Sequence, residues 1–476
     1  MSTIDLGQRG IDIDGPEFGV IAPNMQSNIL KSHSRDNAQL LFLRFTAGKT
    51  EIAAWIKNFV DQERLVMSAL DQKVDSTNHK LGLGSGTVAN FYLSAKGYKR
   101  LELDPHGFSD VDMDTETEED DEETGSEFLS CGNNDFVRGM KSSKVNNKLK
   151  DPELEEWEQN YNTEIHALVL MADDDAARLQ TEIGGLKASL VGIADIVAEE
   201  TGKNLTGIFG GRKRNLEHFG YADGVSQPSY FNGPGVVLSS PVELQPLKII
   251  LVKDPFTPKK DNSFGSFLVY RKLEQDVDGF KSRISELASE LELNANQEGK
   301  MTTEDYAGAM VVGRFKDGTP LIKSDIPLDE FPAFNDFKYE NTDRIAHKCP
   351  FHAHIRKTNP RGQGILVGER YITRRGIPYG AMDAPGKKGL LFMCFQANLK
   401  RQFNFLQKTW CNAPGFPAFR GRPGIDGLIG QGNAGEQSWP KQYDNSEEVK
   451  FDFAGFIKMK GGEYFFAPSL TFLRNI

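Results

Sequence analysis

Four short apolar runs, each followed by a helical stripe, constrain the fold more than any other feature of this sequence. Ala38–Thr46 (AQLLFLRFT) precedes Ile52, Trp55, Ile56, Phe59 and Val60, which share one helical face. Ile165–Met171 (IHALVLM) precedes Ala176, Leu179, Ile183, Leu186, Leu190, Ile193 and Val197, with Gly202 as the expected stop. The second half repeats the plan. Gly265–Arg271 (GSFLVYR) leads into Leu273, Val277, Phe280, Ile284, Leu287 and Leu291. Leu390–Gln396 (LLFMCFQ) leads into Leu399, Phe403, Leu406 and Trp410. A chain of 476 residues is too long for one ordinary core. Two strand–helix units per half therefore predict two βαββαβ-type α+β domains, each a sheet with helices on one face. The Gly-, Pro- and Ser-rich stretch over 232–246 is the expected boundary, dividing the chain into 1–235 and 236–476.

The net charge of −11 is concentrated in one place. Residues 110–127 (DVDMDTETEEDDEETGSE) carry 11 acids and no base, and acids and bases balance elsewhere. So polar a segment reads as a solvated loop inserted in the first domain, with a calcium or manganese site as the sharper alternative. No basic patch points to nucleic acid. The start, MSTIDLGQRGIDIDG, has neither the basic nor the apolar region of a leader, and no run reaches the length of a membrane span. Cys131, Cys349, Cys394 and Cys411 show no CxxC or disulfide-framework spacing. Together these features predict a cytoplasmic protein with reduced thiols.

Chemistry concentrates between Cys349 and Gly380 (CPFHAHIRKTNPRGQGILVGERYITRRGIPYG). The whole chain has 8 histidines, yet His347, His352 and His354 fall close together, and Arg374–Arg375 follows. In an extended segment His352, His354 and Arg356 would share a face. A strand histidine is ordinarily a satisfied structural residue. Structural-zinc spacing of a third and fourth ligand is missing. The second string is GYADGVSQP, Gly220–Pro228, in which glycines bracket Asp223. Such an aspartate is ordinarily a turn residue satisfied by its own backbone. The basic run Gly210–Asn215 (GGRKRN) before it reads either as an anion site or as an exposed hairpin.

Taken in order, GYADGVSQP, CPFHAHIRKTNPR, ITRRGIPYG and GLLFMCFQ resemble the dye-decolorising peroxidases, in particular the longer, non-exported members. The likeness runs from NMQSNIL to GGEYFFAPS, nearly the whole chain. It implies two tandem ferredoxin-like domains of the dimeric α+β barrel superfamily, with haem b bound mainly by the C-terminal one. It also implies a haem peroxidase that reduces hydrogen peroxide and oxidises bulky aromatic donors such as anthraquinone-type dyes and phenols. His354 becomes the proximal iron ligand, Asp223 the distal acid–base group and Arg374 the distal arginine. Gly224, Val225, Ser226, Asn359, Pro360 and Arg361 become haem contacts. His347, His352 and Arg375 take supporting roles, and Tyr379 or, second, Trp410 relays electrons from donors too large to reach the haem. Oligomeric state stays open.

The residue types suit this chemistry. Splitting hydrogen peroxide into oxide and water requires moving one proton between its two oxygens. A carboxylate does this in acid, where a histidine would be protonated, so activity is expected to peak at acidic pH. A fixed guanidinium stabilises the charge that develops on the oxygens. Two rivals keep part of the pattern. A haem-binding or iron-handling protein without turnover would keep His354 but would not need Asp223 with Arg374. A non-haem metal protein would use His352 and His354.

Overall fold

A computed structural model describes residues 4–61, 66–81, 85–108, 134–233, 244–258, 262–329, 335–362, 367–417, 423–433 and 435–476. The acidic segment 110–127, Cys131 and most of the expected boundary lie outside these residues.

In the first half β1 (Asn37–Phe45) is followed by α1 (Lys49–Asp61) and β2 (Val88–Leu93), then β3 (Ala167–Asp173), α2 (Ala176–Ser189) and β4 (Ala194–Lys203). Antiparallel pairing gives the order β2-β3-β1-β4, the ferredoxin-like arrangement. The second half supplies β5 (Val252–Lys253), β6 (Phe264–Gln275), the helices α3 (Val277–Ala288), α4 (Thr303–Val312) and α5 (His354–Thr358), β7 (Thr373–Arg374), β8 (Ile377–Tyr379), β9 (Gly389–Gln396) and β10 (Ile457–Ala467). Here β7 and β8 pair with β9, β9 with β6 and β6 with β10, so the same order recurs.

The two halves do not keep separate sheets. β10 meets β2 through Phe466 and Leu93, joining all the strands into one 10-stranded sheet. At the other end β4 packs against β8, where a Cβ on Gly202 would come 2.4 Å from Ile377 Cγ2. The result is a barrel with helices outside. Its interior is shared: Phe42 of the first half contacts Tyr270 and Phe465 of the second, at ring separations of 4.7 and 6.3 Å. Because both faces are covered, β3 is buried at every position, and β1 loses the usual apolar–polar alternation. Many phenylalanines are buried in the connected core that the strands and their covering helices share.

Three local expectations change. α2, capped by the Asp175 carboxylate on Ala177 and Arg178 N–H, stops at Ser189. Ile193 lies in the turn that follows and Val197 in β4, and Gly202 is a close-approach residue of that strand rather than a helix stop. A turn through Gly192, at φ 78°, intervenes, so the apolar spacing continues across two different structures. Leu273 belongs to β6, not to the helix after it. The stripe Leu399–Trp410 does form a helix, largely of π type over Lys400–Asn404 and Leu406–Cys411. Among the described residues no helix is long and apolar enough to cross a membrane.

Candidate active site

One cavity of about 950 Å³ opens between β6, β9, the Leu216–Gln227 loop and the segments around His354 and Arg374. It collects most of the residues the sequence singles out: Asp223, Gly224, Val225, Ser226, His354, Asn359, Arg361 and Arg374. Pro360, Tyr379 and Trp410 do not line it.

His354 opens the short helix α5, so the strand alternation expected of His352, His354 and Arg356 does not apply. Instead the three separate. Arg356 is buried and pairs with Asp343, Nη1 to Oδ2 at 2.9 Å. His352 is 1% exposed and packs on Trp439 at 4.1 Å between ring centres. His354 alone faces the cavity, and its Nδ1 lies 2.9 Å from Asp426 Oδ2. Asp426 is fully buried. Burial alone would raise its carboxyl. The imidazole and its hydrogen bond, with the N–H groups of Ile429 and Leu428, outweigh burial and hold it below the usual carboxylate value. A carboxylate can only accept, so His354 Nδ1 carries the proton and the Nε2 lone pair is free for a ligand.

Asp223 and Arg374 form the opposite partners. Arg374 Nη1 donates to Asp223 Oδ1 at 3.1 Å and Nη2 to Ser226 O at 3.1 Å. Gln227 clamps the arginine backbone, accepting from Arg374 N at 3.1 Å and donating to Arg374 O at 3.3 Å. Asp223 is also a turn residue: its Oδ1 accepts from Gly224 N, and Gly224 sits at φ 73°, a left-handed position that favours glycine. The turn is braced from behind. Glu217 accepts from Phe219 N, Tyr221 N and Gln275 Nε2, and burial pushes its carboxyl up to about 7. The GGRKRN run forms the exposed hairpin just before it, Leu205–Phe209 pairing with Arg212–Leu216.

Further cations edge the cavity. Arg361 Nη2 donates to Ser226 Oγ at 3.1 Å, and Arg314 Nη1 and Nη2 donate to Gly318 O and Asn335 Oδ1. Burial, then the neighbouring Arg361 and Arg374, lower Arg314 to about 9. Arg375 turns away, donating to Asn28 O and Ile29 O of the first half at 2.7 and 2.8 Å, so it ties the halves together. His347 accepts from Asp444 N through its carbonyl.

Sequence reasoning missed Asp426, Gln227 and Glu217. Asp426 lies in GIDG, a glycine-flanked aspartate of the kind that drew attention to Asp223. Nothing in the sequence says that it faces a histidine 72 residues earlier.

The residues fit a haem group. The cavity is large enough for one, its walls include Leu273, Phe392, Phe403 and Leu406, a free imidazole nitrogen projects into it and arginines stand at its edge to meet carboxylates. Asn359 Oδ1 is buried and has no partner among the described residues, as expected of a group that serves a ligand. For a non-haem site, no group of three or more His, Cys, Asp or Glu residues gathers among the described residues.

The family model "Dyp-type peroxidase, C-terminal" matches residues 300–415. The multifunctional dye peroxidase DyP2 of Amycolatopsis sp. is 35% identical, over 97% of each chain. The crystal structure of a DyP-type peroxidase from Anabaena sp. superposes with a TM-score of 0.85 at 37% identity, covering 100% of this chain and 99% of that one. A dye-decolorizing peroxidase in complex with 2,6-dimethoxyphenol superposes with a TM-score of 0.75 at 26% identity, covering 95% and 98%.

His352 gives a stability prediction. Burial first, then the charge of Lys357, lower its pKa to about 3. The unfolded chain therefore binds a proton near pH 6.5 that the folded chain refuses. Stability from this group is complete above about pH 6.5 and falls by roughly 1.4 kcal/mol per pH unit as the pH drops toward 3. The melting temperature, followed from pH 7 to pH 4, should fall more steeply in wild type than in His352→Gln. Equal slopes would contradict the assignment.

Proposed function

The chain belongs to the DyP-type peroxidases, and we propose that it works through His354, Asp223 and Arg374 on a haem b held mainly by the second half of the chain. It is a haem-dependent enzyme that reduces hydrogen peroxide and oxidises dyes and phenols. The observation that carries the residue assignment is convergence: His354, held by Asp426, and the Asp223–Arg374 pair line one cavity. An iron-storing protein has no need of that pair. Haem b is favoured over a covalently attached haem because the sequence contains no CxxCH.

Haem bound there supplies the electrons that break the O–O bond. Asp223 takes the proton from the inner peroxide oxygen and returns it to the outer one, so that water leaves. Arg374 is fixed by Ser226 O, Gln227 and Asp223 before peroxide arrives, so its charge needs no reorganisation during the reaction. Asp426 keeps Nδ1 of His354 protonated and the ring in one orientation. Gly224, Val225, Ser226, Asn359 and Arg361, which line the cavity, would contact the haem. Residues 1–235 and 236–476 act as two domains, the first contributing Asp223. Three buried, unpaired thiols, Cys349, Cys394 and Cys411, support a reducing, cytoplasmic setting.

Bulky donors are served by a relay. Of the two candidates, Trp410 has more support than Tyr379. It is flanked by cavity-lining Leu406, Gln407 and Cys411, and its ring stacks on Phe416 at 5.1 Å. Indole loses an electron without first needing a proton acceptor. The Tyr379 hydroxyl is buried with no hydrogen-bond partner among the described residues.

Stopped-flow mixing of the haem-loaded protein with peroxide tests the assignment. Arg374→Leu should slow the first spectral change by about 10²–10³, and Asp223→Ala by about 10²–10⁴. Wild-type rates in either variant would remove that residue from the mechanism. Trp410→Phe should keep the peroxide rate and lower turnover of an anthraquinone dye several-fold; an unchanged dye rate would exclude Trp410 as the relay.

A further inference from the structure

Behind the cavity, inside the barrel, lies a buried polar chain that peroxide cleavage does not use. Arg271 and Leu273 of β6 line the cavity, and alternation along the strand turns Tyr270 and Lys272 to the other face. Tyr270 and Tyr161 are both fully buried, with their hydroxyl oxygens 2.8 Å apart. Tyr161 donates its one proton to Glu200 Oε1 at 2.9 Å, so Tyr270 must be the donor between the two tyrosines. Lys272 Nζ holds Glu200 Oε1 at 2.7 Å and Glu158 Oε2 at 2.8 Å. Glu158 in turn pairs with the exposed Lys387 at 3.4 Å.

A tyrosine gives up an electron readily only when its proton has somewhere to go. Burial pushes both phenols well above their usual values, so neither ionises beforehand. Burial also raises the Glu200 carboxyl, against the opposing pull of Lys272, which makes it a better proton acceptor than an exposed carboxylate. Tyr379 has no such acceptor, although Lys272 Nζ stands 5.0 Å from its ring centre.

We propose that Tyr270, with Tyr161 and Glu200 behind it, is a second redox site that takes an oxidising equivalent from the haem cavity and holds it as a neutral tyrosyl radical. The inference rests on the peroxidase reading above, because the oxidant is the cofactor after hydrogen peroxide has taken electrons from it. The step balances. One electron passes from Tyr270 to the oxidised site. The Tyr270 O–H bond breaks and its proton goes to Tyr161 Oη, while the Tyr161 proton goes to Glu200, which becomes a neutral acid. Refilling by an electron from a donor reverses each transfer. Tyr270 is one peptide unit from Arg271 at the cavity wall, and the carboxylate–lysine chain continues to the surface at Lys387.

The test is freeze-quench EPR of the haem-loaded protein after one equivalent of peroxide without donor, with the Soret band followed in parallel. Wild type should give a tyrosyl signal that narrows when ring-deuterated tyrosine is incorporated. Tyr270→Phe should lose it while the Soret band still responds. Glu200→Gln should reduce the yield at least several-fold, since an amide cannot take the proton. Tyr379→Phe should keep it. Tyr161→Phe interrogates the same contact from the other side if Tyr270→Phe does not fold. A tyrosyl signal that persists in Tyr270→Phe or Tyr161→Phe, or that is absent from wild type whose Soret band responds, overturns the proposal. A Soret band that does not respond to peroxide overturns the peroxidase assignment and this proposal with it.

Discussion

The hydrogen bond between His354 and Asp426 is the contact on which the site depends. It is the reason one of three neighbouring histidines differs from the others. Asp426 is buried, yet it stays charged because two backbone amides and the imidazole meet its oxygens. The bond fixes the tautomer of His354 and aims its free nitrogen into the cavity. His352, two residues earlier, has no carboxylate partner; it hydrogen-bonds the Pro423 backbone and packs against Trp439. The same principle organises the other wall, where Asp223 is held by Arg374 and by its own turn, and Arg374 by Ser226 and Gln227.

These partners come from sequence positions far apart, and the barrel brings them together. Strand order within each half places β6 at the centre of the second sheet, with one face on the cavity and the other on the barrel interior. The first half closes the barrel through β2 and β4, and its Leu216–Gln227 loop reaches over to place Asp223 beside Arg374. Arg375, next in sequence, points back to the first half and anchors that reach. One strand therefore faces two environments: Arg271 and Leu273 toward the cavity, Tyr270 and Lys272 toward a buried chain of hydrogen-bonded polar side chains.

Much of this was legible in the sequence, for identifiable reasons. Strands such as Ala167–Asp173 are continuous apolar runs because both faces are buried, and the repetition of such runs in pairs announces two equivalent halves. His354, Asp223 and Arg374 stood out through the short strings CPFHAHIRKTNPR, GYADGVSQP and ITRRGIPYG. What the sequence hid depends on three-dimensional contact. Apolar spacing alone could not separate the end of α2 from the strand after it, because Leu186 of the helix, Ile193 of the turn and Val197 of the strand all pack on one core. The extended reading of His352 to Arg356 failed because α5 begins at His354. Asp426 and Glu200 acquire meaning only from partners many residues away. Joining of the two sheets also escaped, since Phe466 opposite Leu93 leaves no periodic trace.

The arrangement sets two opposing demands in acid. The proposed mechanism calls for a carboxylate base that works in acid, while the buried neutral His352 makes the fold weaker there. The working range lies where the two overlap. The proposed mechanism turns on His354 as the iron ligand, and the direct test is a haem titration of the apoprotein read at the Soret band, wild type beside His354→Ala, with and without added imidazole. The expected result is saturation at one haem per chain in wild type, an altered band in His354→Ala, and return of the wild-type band when imidazole fills the space. Identical spectra for the two proteins would contradict the account.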